Sequence, residues 1–156
     1  MNLSRRELAG VLSSLAPALA PALVSVAIAQ QQPTAAPPKP NVLPSKLYHT
    51  EQIPYTGDGK RKGRRFFLGT THTGFNLEMH ETILGPGEIS HPPHKHVHEE
   101  IIVFVDGTIE VHIEGRTDTA TAGSVSFFAS NDLHNFRNVG STPCRYYVLE
   151  LRADAA

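Results

Sequence analysis

From Gly85 to Ser141 turn signals recur so often that no long helix fits between them. Gly85-Pro86-Gly87, Asp106-Gly107, Gly115, Gly123, Ser130-Asn131-Asp132 and Gly140-Ser141 supply the breaks. Glycine, proline and short polar side chains favour turn geometries that other residues resist. The runs between them are short and rich in valine, isoleucine, threonine and phenylalanine, which suit a pleated, half-buried surface. Residues 65–68, 75–84, 100–105, 108–114, 124–128, 134–138 and 145–151 read as strands, and Asp106-Gly107 is a strong hairpin signal. The spacing predicts an all-β barrel or jelly roll of about eight strands.

The ends of the chain carry different signals. Ser4-Arg5-Arg6-Glu7-Leu8 precedes an apolar alanine, leucine and valine run to Ile28, and Ala27-Ile28-Ala29 has the small-x-small form of a signal-peptidase site. The paired arginines resemble a bacterial twin-arginine export signal. Residues 1–29 are expected to be that signal, which implies a periplasmic or secreted protein. Pro17 and Pro21 interrupt the run and argue against a stable membrane anchor. Residues 30–45 are rich in proline and alanine without apolar period and read as a tether; one folded domain is expected over 46–153. A net charge of −1 over 156 residues offers no overall field for nucleic acid. Cys144 is the only cysteine, so there is no internal disulfide and no cysteine-held zinc; a buried, inert thiol is expected.

Chemistry concentrates in GEISHPPHKHVHEEIIVFVDG, residues 87–107, where four histidines and two glutamates crowd residues 91–100. Imidazole and carboxylate together suit a divalent transition metal, and any metal here must be held by nitrogen and oxygen. His94 and His96 lie two apart, so on an extended strand both rings share a face. Glu100 has the same parity. His98 has it too, and parity alone does not separate it from the others. His134 heads another expected strand, from which it can close the site across a sheet.

These residues resemble the two motifs of the cupin superfamily. The first appears as His94-x-His96, three residues, Glu100, six residues, Gly107, with the leading glycine displaced by one to Gly87. The second appears as Gly123, five residues, Ala129-Ser130-Asn131, two residues, His134, three residues, Asn138. Ala129 stands where the family has proline. Asn131 stands where it has glycine, and asparagine tolerates the left-handed backbone better than most residues. The segment between the motifs, 108–122, has 15 residues. The resemblance implies a double-stranded β-helix, the cupin jelly-roll barrel, with His94, His96, Glu100 and His134 holding one divalent metal. Manganese or iron is favoured; nickel, copper and zinc also occur in the family. A homodimer is implied as well.

Three imidazoles and one carboxylate leave open positions on an octahedral metal, which suits a dioxygenase-type oxidoreductase acting on a small oxygen-rich molecule. A non-catalytic metal- or ligand-binding cupin, or a Lewis-acid isomerase or decarboxylase, are the alternatives. Two acid–base candidates stand beside the ligands. Glu81 shares the parity of Leu77, Met79 and Ile83 and is a candidate carboxylate pointing into the barrel. His98 is a candidate for orienting a ligand or moving a proton. His91 reads as a solvated loop residue, and nothing ties His80 or His112 to the metal. Arg137 and Arg145 are candidates for holding a substrate carboxylate. KRKGRR, residues 60–65, reads as a solvated loop. No phosphate loop, nucleophile elbow or CxxC pair occurs.

Overall fold

The Asp106-Gly107 turn does what its sequence demands. It joins β4 (Glu99–Asp106) to β5 (Thr108–Ile113), with Gly107 at a φ of 94° that side chains resist. The computed structural model describes residues 41–152. The other strands are β1 (Thr56–Gly57), β2 (Arg61–Thr70), β3 (Asn76–Leu84), β6 (Arg116–Thr121), β7 (Val125–Phe128), β8 (His134–Asn138) and β9 (Cys144–Arg152). The only helical element among the described residues is one 3-10 turn, Thr50–Gln52.

The strands form two antiparallel sheets in jelly-roll fashion. The larger has the order β1-β2-β3-β9-β4-β7 and the smaller β6-β5-β8. Up to Val105 on β4 and Leu151 on β9, buried and half-buried positions alternate, so one parity of each faces the interior. That interior is apolar over part of its depth. Leu84, Ile102, Phe104, Phe128, Phe136 and Tyr146 are almost fully buried, and Phe136 meets Phe104 and Tyr146 edge-on at 5.6 and 4.8 Å. Each such side chain contributes about 2–3 kcal/mol by leaving water, so this floor stabilises the barrel.

Toward one end the inward positions turn polar. On β4 the series runs Phe104, Ile102, Glu100; on β9 it runs Tyr146, Val148, Glu150, Arg152; on β3 it runs Leu84, Thr82, His80, Glu78. A cavity of about 760 Å³ opens there. KRKGRR is not a solvated loop. Residues 61–65 begin β2, in register with β3, and Arg61, Arg64 and Arg65 line the cavity. β6 has an almost wholly exposed polar sequence and so gave no apolar strand signal.

Residues 41–43, expected within the tether, run beside the end of β2, with reciprocal backbone bonds between Thr70 and the 41–43 segment. The expected export signal, 1–29, lies outside the described residues.

Candidate metal centre

Three of the candidate ligands are placed by main-chain pairing. The loop after β3 runs alongside β8: Ile89 pairs with Arg137, and His94 exchanges both backbone hydrogen bonds with His134, at 3.2 and 3.0 Å. His94 and His134, one from each sequence motif, are therefore held as cross-strand partners. Asn131 adopts φ 65° in the turn before β8, as its substitution for glycine requires, and donates its backbone N–H to the carbonyl of His96. Asn138, fully buried, donates from its side chain to the carbonyls of Leu84 and Thr142 and accepts from Gly140 N–H. It closes turns and takes no part in the site.

One ring nitrogen from each of His94, His96 and His134 lies within 4.8 Å of the others. Glu100, on β4, faces the group, with Oε1 3.3 Å from His96 Nε2 and Oε2 3.6 Å from His134 Nε2. The donor set fits a metal ion. His96 Nδ1 is 2.8 Å from the carbonyl of His98, and His134 Nδ1 is 2.8 Å from that of Asp132. A carbonyl only accepts, so each Nδ1 carries the proton and each Nε2 presents its lone pair. Both Nε2 atoms are buried without a hydrogen-bond partner. Two unpaired ring nitrogens at a carboxylate's edge form a polar void that a cation would satisfy.

The charges agree. Burial would raise the Glu100 carboxyl, but the His134, His96 and His98 rings outweigh it and hold the group down at about 2. Burial, reinforced by His134 and His96, lowers His94, so it stays neutral. Burial would lower His134 as well, yet the Glu100 carboxylate raises it.

The second candidates separate. His98 lies at the site: its ring stacks on His96 at 3.5 Å, with Nε2 3.5 Å from Glu100 Oε1 and 3.6 Å from Glu150 Oε2. Glu81 does not point into the barrel. The even-numbered residues of β3 line the cavity, and Glu81 faces the other way, fully buried, with Oε2 accepting from Arg64 Nε at 2.5 Å. Tyr55 packs over that guanidinium at 4.3 Å. Neither arginine expected to meet a substrate lines the cavity. Arg145 pairs with Asp106 at 2.8 Å, and Arg137 donates to the Gly87 carbonyl. His112 pairs with Glu110 at the smaller sheet's surface.

Two histidines gain importance. His91 is half-buried, lines the cavity and packs edge-on against His94 at 4.5 Å. His80 lines the same wall, 3.5 Å from Glu78. Glu78 and Glu150, with the paired Arg65 and Arg152, complete that wall.

The fold and this site define a jelly-roll protein with a three-histidine, one-carboxylate cluster whose Glu100 lines a polar cavity. Comparison with known proteins agrees with that fold. Residues 80–150 match the family model described as a cupin domain, which supports the cupin superfamily. An RmlC-like cupin from Shewanella frigidimarina superposes with a TM-score of 0.57 at 21% identity, covering 67% of this chain and 88% of that one. The polyketide cyclase RemF from Streptomyces resistomycificus gives 0.56 at 20% identity, covering 68% and 78%. A predicted oxalate decarboxylase from Thermotoga maritima gives 0.56 at 19% identity, covering 68% and 98%. No curated protein sequence matches the chain. At these identities the likeness concerns the fold, and one fold hosts many chemistries.

Proposed function

We propose that this chain is an exported, mononuclear-metal oxidoreductase of the dioxygenase type, acting on a small oxygen-rich organic molecule. The observation that carries it is the pair of buried, unpartnered Nε2 atoms of His96 and His134, aimed at Glu100 beside a cavity of about 760 Å³. His94, His96, Glu100 and His134 would hold one divalent metal, with manganese or iron favoured. Bound there, such an ion supplies Lewis acidity and, for a redox metal, a place to bring dioxygen beside the substrate. The chain's own groups do the rest. The carbonyls of His98 and Asp132 fix the ligand tautomers. His98, between Glu100 and Glu150, can hold a proton at Nε2 and pass it between the cluster and the cavity wall. Phe128, stacked on His134 at 4.2 Å, covers the cluster from the apolar side and keeps water off it.

A binding role without turnover is the second reading. It is favoured by Glu78 and Glu150, whose charges are already engaged by Arg65 and Arg152, which leaves His98 as the main proton carrier. Metal analysis of protein purified from its native host without chelator, followed by an oxygen-consumption screen, separates the two. Near-stoichiometric iron or manganese with substrate-dependent oxygen uptake is expected. A stoichiometric metal with no turnover across phenols, diketones and hydroxy acids would leave the binding role, and no bound metal would refute the oxidoreductase and leave only binding of a small ligand.

Two copies are further proposed to pair through the outer face of the larger sheet. Met79, Leu149, Ile101 and Phe127 stand in register there, and Phe127 and Val125 are exposed. A single-chain mass by light scattering would refute the pairing.

A further inference from the structure

Four arginines line the cavity, and three of them are spoken for. Arg64 is held by Glu81, Arg65 by Glu78, and Arg152 by Glu78 and Glu150. Arg61 has no carboxylate partner among the described residues. Its side chain donates only to the carbonyl of Ser90, through Nη1. Asp58 accepts the backbone N–H of Arg61, not its guanidinium. Register places Arg61 opposite Leu84, on the inward parity of β2, two residues before Gly63 and four before Arg65. Ser90, to which it is tied, precedes His91, and His91 packs against the candidate ligand His94. Arg61 thus projects a fork with free N–H groups into the cavity that holds Glu100.

The charge balance of the cavity then has a sign. The Arg65, Arg152, Glu78 and Glu150 charges cancel. A divalent metal held by Glu100 and three neutral imidazoles leaves one positive charge, and Arg61 adds a second. A dianion neutralises both.

We infer that the cavity takes a small dicarboxylate, one end offering its oxygens to the metal and the remote carboxylate docking on Arg61. This rests on the metal centre proposed above and names the substrate class of that same site. Arg61 is itself exposed to solvent, but a guanidinium fork matches a carboxylate in geometry, and a charge-assisted contact is stronger than a neutral one. Arg61 is then a specificity-determining residue: it selects what enters and touches no reacting atom.

The test uses matched chelators on the full chain loaded with cobalt(II), with binding read from the visible absorption of the metal. α-Ketoglutarate and α-ketovalerate share the same chelating head and differ only in the remote carboxylate. Oxaloacetate and α-ketobutyrate form the same pair one carbon shorter. In at least one pair the dicarboxylate is expected to bind about tenfold or more tighter than its partner. Arg61→Gln is expected to erase that preference and leave the monocarboxylate affinity unchanged, and Arg61→Lys to restore part of it. A merely structural Arg61 would weaken both members of a pair equally, and that result overturns the inference. So does a wild-type protein that shows no preference in either pair. Failure to bind cobalt at all would refute the metal centre itself, a different outcome from binding cobalt and ignoring the second carboxylate.

Discussion

Replacing Gly107 by alanine tests why the first motif ends where it does. Gly107 sits at φ 94°, and an added Cβ would lie 2.4 Å from the Cβ of Cys144 and 2.9 Å from its Cα. Carbon atoms in ordinary contact are about 3.5–4.0 Å apart, so either the turn or the start of β9 must move by about 1 Å. Two costs add. The left-handed backbone costs a residue with a side chain roughly 1–2 kcal/mol, and forcing an extra carbon into packed surroundings costs about 1–3 kcal/mol. The expected loss is about 2–5 kcal/mol, a large part of the roughly 5–15 kcal/mol that holds a domain folded. Gly115 separates the two costs, because it has φ 74° and nothing within 4 Å of its would-be Cβ. Gly115→Ala keeps the backbone strain without the clash and is expected to lose only about 1–2 kcal/mol. Urea unfolding in the presence of chelator reads both variants without a metal contribution. Equal losses would refute the steric reasoning, and an unchanged midpoint for Gly107→Ala would refute the turn geometry itself.

Glu81→Gln should behave as a structural change. Removing a fully buried carboxylate at 2.5 Å from Arg64 strands that guanidinium and is expected to cost about 3 kcal/mol, with metal stoichiometry unchanged. Lost metal at unchanged stability would place Glu81 in the site after all. A second expectation concerns alkaline pH. Burial pushes the Cys144 thiol up to about 11 and raises Tyr146 also. Both groups keep their protons in the folded state after the unfolded chain has begun to lose them. The stability they confer is therefore full below about pH 8.5 and drains as pH rises toward the folded values. Urea midpoints that fall between about pH 8 and pH 10, and fall less in Cys144→Ala, are expected. A flat profile counts against the buried thiol.

The strands were legible because apolar alternation and turn chemistry agree over most of the chain. The four clustered residues were legible because the two motifs fix their spacing; His94 and His96 lie in the loop ahead of β4, so strand parity did not place them. What was not legible has a common cause: parity tells two faces apart without saying which faces in. On β3 the apolar set of Leu77, Met79 and Ile83 looks like the core face. It is the half-buried outer face, and the polar set of Glu78, His80 and Thr82 lines the cavity. Glu81 was carried to the wrong side by that inversion. Arg61 and Arg64 read as loop for a related reason. A strand walling a charged cavity carries the charges that a solvated loop would carry, and only its pairing with β3 distinguishes the two. His91 gave no signal, because its approach to His94 depends on the loop running alongside β8.

The reciprocal backbone bonds between His94 and His134 make the cluster editable. Main chain, not side chain, sets where these two positions stand, so changing one letter alters the donor without moving its neighbour. If the cluster holds a metal as proposed, exchanging one imidazole for a carboxylate, or deleting Glu100, would redraw the metal preference or add a vacant coordination position while the scaffold stays in register. A chain built this way can change its chemistry by single steps.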